Sequence, residues 1–93
     1  MDEIEIEFDE AKRAQTLLER GLDFLDAAKV FNGSHMQMVD DREDYGEIRY
    51  NVFGTLENRR VALTWTPRGT KRRIISMRHY HDEELEDHRR TLG

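Results

Sequence analysis

Five cations stand among strand-forming residues in the stretch Trp65-Thr66-Pro67-Arg68-Gly69-Thr70-Lys71-Arg72-Arg73-Ile74-Ile75-Ser76-Met77-Arg78, within a 93-residue chain whose formal net charge is −5. A basic ribbon in an acidic protein calls for an anionic partner or a structural reason. The chemistry these residue types suit is attack at phosphorus without a metal. When a ribose 2′-OH attacks the adjacent phosphate, the protein must orient that hydroxyl, neutralise the charge developing on the phosphorane and protonate the departing 5′-oxygen. Arginine offers a planar, permanently charged fork to the phosphorane oxygens. It is a poor acid or base, so proton transfer falls to a neighbouring ring (His79, Tyr80 or His81) or to water.

Other chemistries find little support. The chain has no cysteine, which removes disulfides, nucleophilic thiolates and thiolate-bound metals. His79 and His81 lie two apart on a strand and point the same way, but no third ligand is fixed beside them, and His35 and His88 are ordinary surface candidates. Gly-rich phosphate loops, nucleophile elbows and paired-carboxylate motifs are missing. No cofactor and no metal is expected.

Charge is unevenly divided. Residues 1–47 carry 14 acids and 5 bases, residues 48–81 carry 1 acid and 8 bases, and residues 82–93 carry 5 acids and 2 bases. The acidic balance argues against nonspecific coating of nucleic acid, because net repulsion from phosphate lowers encounter rate and affinity. A local phosphate site is compatible with it. The first eight residues alternate acid with apolar residue and lack the pattern of a signal peptide. No apolar run approaches the roughly 20 residues of a membrane span, so a cytoplasmic protein with no membrane partner is expected, built as one domain over residues 1–93.

The elements that must position the ribbon follow from periodicity. Ile4, Ile6 and Phe8 alternate with Glu3, Glu5 and Glu7 as in a short strand with one wet face. Asp9 stands at a helix N-cap, Ala11, Ala14, Leu17 and Leu18 share a helical face, and Gly21 marks the stop. Asp23 can cap a second helix containing Phe24, Ala27, Ala28 and Phe31, closed by Asn32-Gly33. Two amphipathic helices thus form a hairpin laid on an apolar sheet. Met36, Met38 and Val39 suggest a short strand, residues 40–46 an acidic loop, and residues 47–56, 60–66 and 70–80 an antiparallel meander. Residues 81–92 are expected to form a final charged helix.

Strict alternation puts Ile48, Tyr50, Val52, Leu56, Val61, Leu63, Trp65, Ile75 and Met77 under the helices. The other side then carries Arg49, Asn51, Thr64, Thr66, Ser76, Arg78 and Tyr80, with Phe53, Ala62 and Ile74 as its apolar members. Arg73 falls on the covered side. A solvated face is the ordinary reading of such a surface, and a polyanion-binding face is the functional one.

The whole chain resembles the BrnT family, ribonuclease toxins of a type II toxin–antitoxin system. The resemblance runs through Phe8-Asp9-Glu10-Ala11-Lys12, Gly21-Leu22-Asp23-Phe24 with Ala27-Ala28-Lys29-Val30-Phe31, Asp44-Tyr45-Gly46-Glu47-Ile48-Arg49-Tyr50, Thr66-Pro67-Arg68-Gly69 and Arg73-Ile74-Ile75-Ser76-Met77-Arg78. It implies an α+β, RelE-like fold, with an N-terminal strand and helical hairpin packed on a twisted antiparallel sheet and a C-terminal helix. It also implies metal-independent RNA cleavage that arrests translation. Neutralisation would come from a BrnA-like ribbon-helix-helix antitoxin, through which alone DNA is contacted. Carried over by position, Arg68 and Arg78 contact phosphate or the transition state, Arg73 positions or binds RNA, and Ser76 supplies a supporting hydrogen bond. Phe8 stands where the family usually has tryptophan, and Glu19-Arg20-Gly21 where it usually has Lys-His-Gly. The alternative is a noncatalytic RNA- or protein-binding module on the same scaffold. Charge asymmetry further suggests that a basic antitoxin segment contacts Asp40, Asp41, Glu43 and Asp44, against the plainer reading of a solvated loop.

Overall fold

The computed structural model describes residues 4–81, 83 and 84. Its elements are β1 (Ile6–Phe8), α1 (Glu10–Arg20), a 3-10 turn (Phe24–Asp26), α2 (Ala27–Asn32), β2 (Met36–Val39), β3 (Tyr50–Leu56), β4 (Arg59–Arg68) and β5 (Lys71–His79). The strands make one sheet in the order β1-β5-β4-β3-β2. β3 to β5 form the antiparallel meander that the turn spacing implies, and β2 adds antiparallel to β3. β1 instead pairs parallel to β5, Ile6 opposite Arg72 and Phe8 opposite Ile74, so the sheet is mixed and not purely antiparallel. A parallel neighbour requires a crossover, and everything from α1 to β4 supplies it. The expected helix over residues 81–92 lies almost wholly outside the described residues.

The two hairpins of the meander turn by different means. Leu56 pairs with Arg59 across Glu57 and Asn58, both of which have positive φ (51° and 66°), the twist that two-residue hairpins favour. Arg68 pairs with Lys71, leaving Gly69 at φ 61° to make the turn. Arg68 therefore sits at the very end of β4.

The helical hairpin departs from expectation in both halves. Asp9 caps α1 by accepting from the amides of Ala11 (2.8 Å) and Lys12 (3.2 Å), and Gly21 closes it in the left-handed conformation. Yet α1 buries no residue, and Leu18 is 87% exposed. Its Ala11, Ala14, Leu17 and Leu18 face is not the packed face that their spacing suggests. Polar ties hold the helix instead. Arg13 grips Asp23 through Nε (2.8 Å) and Nη2 (3.1 Å), and Arg20 Nη1 donates to the carbonyl of Met77 (2.8 Å). β1 pairs only with residues 72–74 of β5, so the strand runs on past its neighbour, and Arg20 closes over the overhang. The predicted second helix is divided: Asp23 caps the 3-10 turn through the Leu25 amide, and only the six residues of α2 are α-helical.

α2 and the turn before it supply the cover. Leu22, Phe24, Ala27, Val30 and Phe31 are buried against Val52, Val61, Leu63, Trp65, Ile74 and Met77. Burying each of the larger side chains contributes about 1.5–3 kcal/mol. The approach is closest at Gly54, where an added Cβ would lie 2.8 Å from Val30 Cγ1 and 3.1 Å from His35 Cβ. Gly54→Ala is expected to cost about 1–3 kcal/mol through overpacking, read as a lower urea midpoint with an unchanged m-value.

The ladder between β4 and β5 contains a bulge. Thr64 faces Ser76 while Trp65 faces Ile74, so Ile75 is an extra residue without an opposite number. Alternation read straight through this point inverts the first half of β5. Ile74 is 1% exposed and belongs to the core, Ile75 does not, and Arg73 shares the open face with its cross-strand neighbour Thr66. Ile48 also departs from expectation: β3 starts at Tyr50, and Ile48 is exposed.

Candidate functional site

The face of the sheet turned away from α2 is built from alternate residues of β3, β4 and β5. Asn51 faces Thr64, and Thr64 faces Ser76. Phe53 faces Ala62, and Ala62 faces Arg78. Arg73 enters this row through the bulge and Arg68 stands at its hairpin end. The four residues singled out from the sequence, Arg68, Arg73, Ser76 and Arg78, thus occupy one face, whereas the sequence reading separates Arg73 from the others. Its floor is polar and ordered: Thr64 Oγ1 donates to Asn51 Oδ1 at 2.7 Å.

Each arginine holds a carboxylate. Arg68 Nη2 lies 3.2 Å from Glu47, which also receives Arg49 Nε at 3.1 Å. Glu47 is brought there because Thr66 Oγ1 donates to the Ile48 carbonyl at 2.6 Å, fastening the segment before β3 onto β4. Arg73 is 3.8 Å from Glu7, its register partner on β1. Arg78 Nη1 donates to Glu84 at 2.8 Å, and Glu84 is itself fixed by accepting from the His81 amide at 2.9 Å. That amide, more than Arg78, holds the Glu84 carboxyl below its ordinary value. Pairs this exposed contribute about 0–1 kcal/mol each. Ion pairs of that strength are weak enough for a polyanion to displace.

Arg72 points the other way. Its guanidinium lies over the rings of Phe31 (4.4 Å) and Trp65 (4.6 Å) on the helix side of the sheet. This cation of the ribbon has a structural reason. Among the candidate proton-transfer groups, His79 shares the side of Val61, where its Nε2 is 3.2 Å from the Arg20 carbonyl. It is thereby turned from the arginine face. Tyr80 packs edge-on against Phe53, ring centroids 5.0 Å apart, on the face that carries Arg78. Among the described residues no group of three or more His, Asp or Glu side chains converges on a metal-sized site, and no helix is long and apolar enough to cross a membrane.

The acidic loop contributes what sequence reading does not anticipate. Asp40 turns inward: its side chain is 2% exposed and accepts from Arg42 Nε (2.7 Å) and Nη2 (2.8 Å), with Tyr45 Oη at 3.4 Å. It is therefore not one of the solvent-facing acids of the loop, whereas Asp41, Glu43 and Asp44 are exposed. Hydrogen bonds from Arg42, aided by Asn51 and opposed by burial, hold the Asp40 carboxyl below the ordinary carboxylate range. Its stabilising contribution is therefore complete above about pH 4 and is lost as acid titrates the folded-state carboxylate. Asp40→Asn is expected to be less stable than wild type at neutral pH, and its urea midpoint should fall less between about pH 4 and pH 2. An equal acid-induced fall in both proteins would put that sensitivity elsewhere. No periodicity marks Arg42 as reaching the sheet; only the folded loop does.

The chain was compared with known proteins in two ways. The family model described as "Ribonuclease toxin, BrnT, of type II toxin-antitoxin system" matches residues 8–84. No curated protein matches the chain.

Proposed function

The chain belongs to the BrnT family of ribonuclease toxins of type II toxin–antitoxin systems, and from that premise we propose that the open face of its sheet is a metal-independent RNA-cleaving site. The observation that carries this reading is the bulge at Ile75, which gathers Arg68, Arg73, Ser76 and Arg78 on one face beside Asn51 and Thr64. RNA phosphates replace Glu47, Glu7 and Glu84 as partners of the arginines. Arg68 and Arg78 neutralise the phosphorane formed when the 2′-OH attacks, Arg73 holds a flanking phosphate, and Ser76 hydrogen-bonds the substrate. The products are a 2′,3′-cyclic phosphate and a 5′-hydroxyl. The proton lost by the 2′-OH and the one gained by the 5′-oxygen pass through water or Tyr80, the ring on the arginine side.

A type II toxin implies a cognate antitoxin. In our reading this is a BrnA-like ribbon-helix-helix protein that covers the arginine face in the cytoplasm and alone contacts DNA. The test is inducible expression together with incubation of purified protein and RNA in chelator. Growth arrest, rescue by the small protein encoded next to the gene, and cyclic-phosphate ends are expected. Retained RNA binding without cleavage would replace this reading with that of a noncatalytic binding module.

A further inference from the structure

Arg42 belongs to the acidic segment between β2 and β3, yet it lines a depression of about 140 Å³ on the open face with Asn51, Phe53, Thr64, Ser76 and Arg78. The depression has a guanidinium from a loop and a guanidinium from β5 on its wall. Its polar lining comes from the Asn51–Thr64 hydrogen bond and the Ser76 hydroxyl. Its apolar part is Phe53, Ala62 and Leu63.

The Arg42–Asp40 pair is strongly asymmetric. The arginine side chain is 72% exposed while the aspartate side chain is 2% exposed. A bridge serving only to close the loop has no need to present its guanidinium to solvent. Asp40 occupies the Nε and Nη2 side of the fork and Tyr45 lies beside the same guanidinium, while among the described residues no hydrogen bond engages Nη1, which leaves that side for a second acceptor. A bidentate grip also removes the rotamer freedom that an exposed arginine would otherwise lose on meeting a ligand. Asn51, which accepts from Thr64, lines the depression together with Arg42, so the loop arginine and the floor of the depression face the same space.

We infer that Arg42 is a further phosphate-binding residue of this site, contacting the phosphodiester of single-stranded RNA across the depression from Arg78, and that Asp40 is its positioning residue. The inference rests on the RNA reading above. The exposed acids Asp41, Glu43 and Asp44 repel phosphate on the loop's outer side, which confines the contact to the depression.

The test uses the full-length protein without antitoxin and a mixed-sequence oligoribonucleotide with methylated 2′-hydroxyls, so that binding is read without cleavage. Arg42→Ala is expected to weaken binding roughly tenfold. The slope of log affinity on log salt should also fall by about 0.7, the value of one phosphate contact on a single strand. Arg42→Lys should keep the slope and lose affinity, because an ammonium lacks the planar fork. A bridge that only closes the loop would lower the melting temperature of Arg42→Ala but leave affinity and slope at wild-type values, and that overturns the inference. Should Arg42→Ala fail to fold, wild-type affinity in Arg42→Lys overturns it equally. Arg42-dependent binding with no cleavage of unmethylated RNA upholds the contact and defeats the cleavage reading. Cleavage with unchanged KM in Arg42→Ala does the reverse, and a wild-type protein that ignores the oligonucleotide defeats both.

Discussion

Arg68→Ala and Arg78→Ala are each expected to slow RNA cleavage by about 10²–10³-fold, the effect of removing one preorganised donor from a transition-state anion. Both residues stand on the open face, and neither is part of the core. Each makes one ion pair, Arg68 with Glu47 and Arg78 with Glu84, worth about 0–1 kcal/mol, and Arg78 Nη1 also donates to the exposed His79 carbonyl at 3.2 Å. The melting temperature should therefore move by less than the roughly 4–8 °C that 1 kcal/mol produces in a domain of this size. If the arginines act on the transition state, kcat and kcat/KM fall together, whereas a purely ground-state phosphate contact would raise KM alone. Single-turnover cleavage of a defined RNA, with thermal melts of the same preparations, separates these outcomes. Wild-type rates in both variants, with the fold intact, would remove them from the site.

Trp65→Ala should have the opposite signature. Trp65 is 7% exposed. It stacks on Tyr50 at 4.9 Å, meets Phe31 edge-on at 5.8 Å, lies under the Arg72 guanidinium and donates its indole N–H to Gln37 at 3.0 Å. Removing so large a buried ring costs about 3–5 kcal/mol, a large share of the roughly 5–15 kcal/mol that holds a small domain together. The variant should be substantially unfolded at growth temperature, and Trp65→Phe, which keeps an aromatic ring, should recover much of the loss. Denaturant titration decides this. A loss below about 1 kcal/mol would mean that the ring cluster is not the keystone of the covered face.

The meander is legible because its turn residues are specific: Glu57-Asn58 and Arg68-Gly69 interrupt runs rich in Val, Thr, Ile and Trp. Asp9 and Gly21 likewise mark the ends of α1 by a local mechanism. The failures lie where a long-range partner decides. Leu17 and Leu18 have core spacing, but Arg13, Arg20 and Asp23 hold α1 by polar contacts, so spacing overstated its burial. Alternation alone puts Arg73 on the covered face, because a bulge leaves no sign in a run such as Arg73-Ile74-Ile75-Ser76. It becomes visible only once Trp65 has chosen Ile74 as its opposite. In the sequence Asp40 is one acid among several, and only the fold turns it inward onto Arg42. The parallel pairing of β1 was equally hidden, because Ile6 and Phe8 alternate identically in either direction.

Since Ile75 is supernumerary in the ladder between β4 and β5, the length of β5 can change at that point without exchanging its faces. Loss of one codon there leaves Ile74 inside and Ser76 outside. Loss of a codon at Arg73 or Met77 turns part of the strand over and exposes core side chains. A gene drifting by single-codon insertions and deletions thus has one tolerant joint in this strand. That joint lies between the segment bearing Arg73 and the segment bearing Arg78, so the spacing of the two cations along the face can be retuned while the hydrophobic side stays in phase.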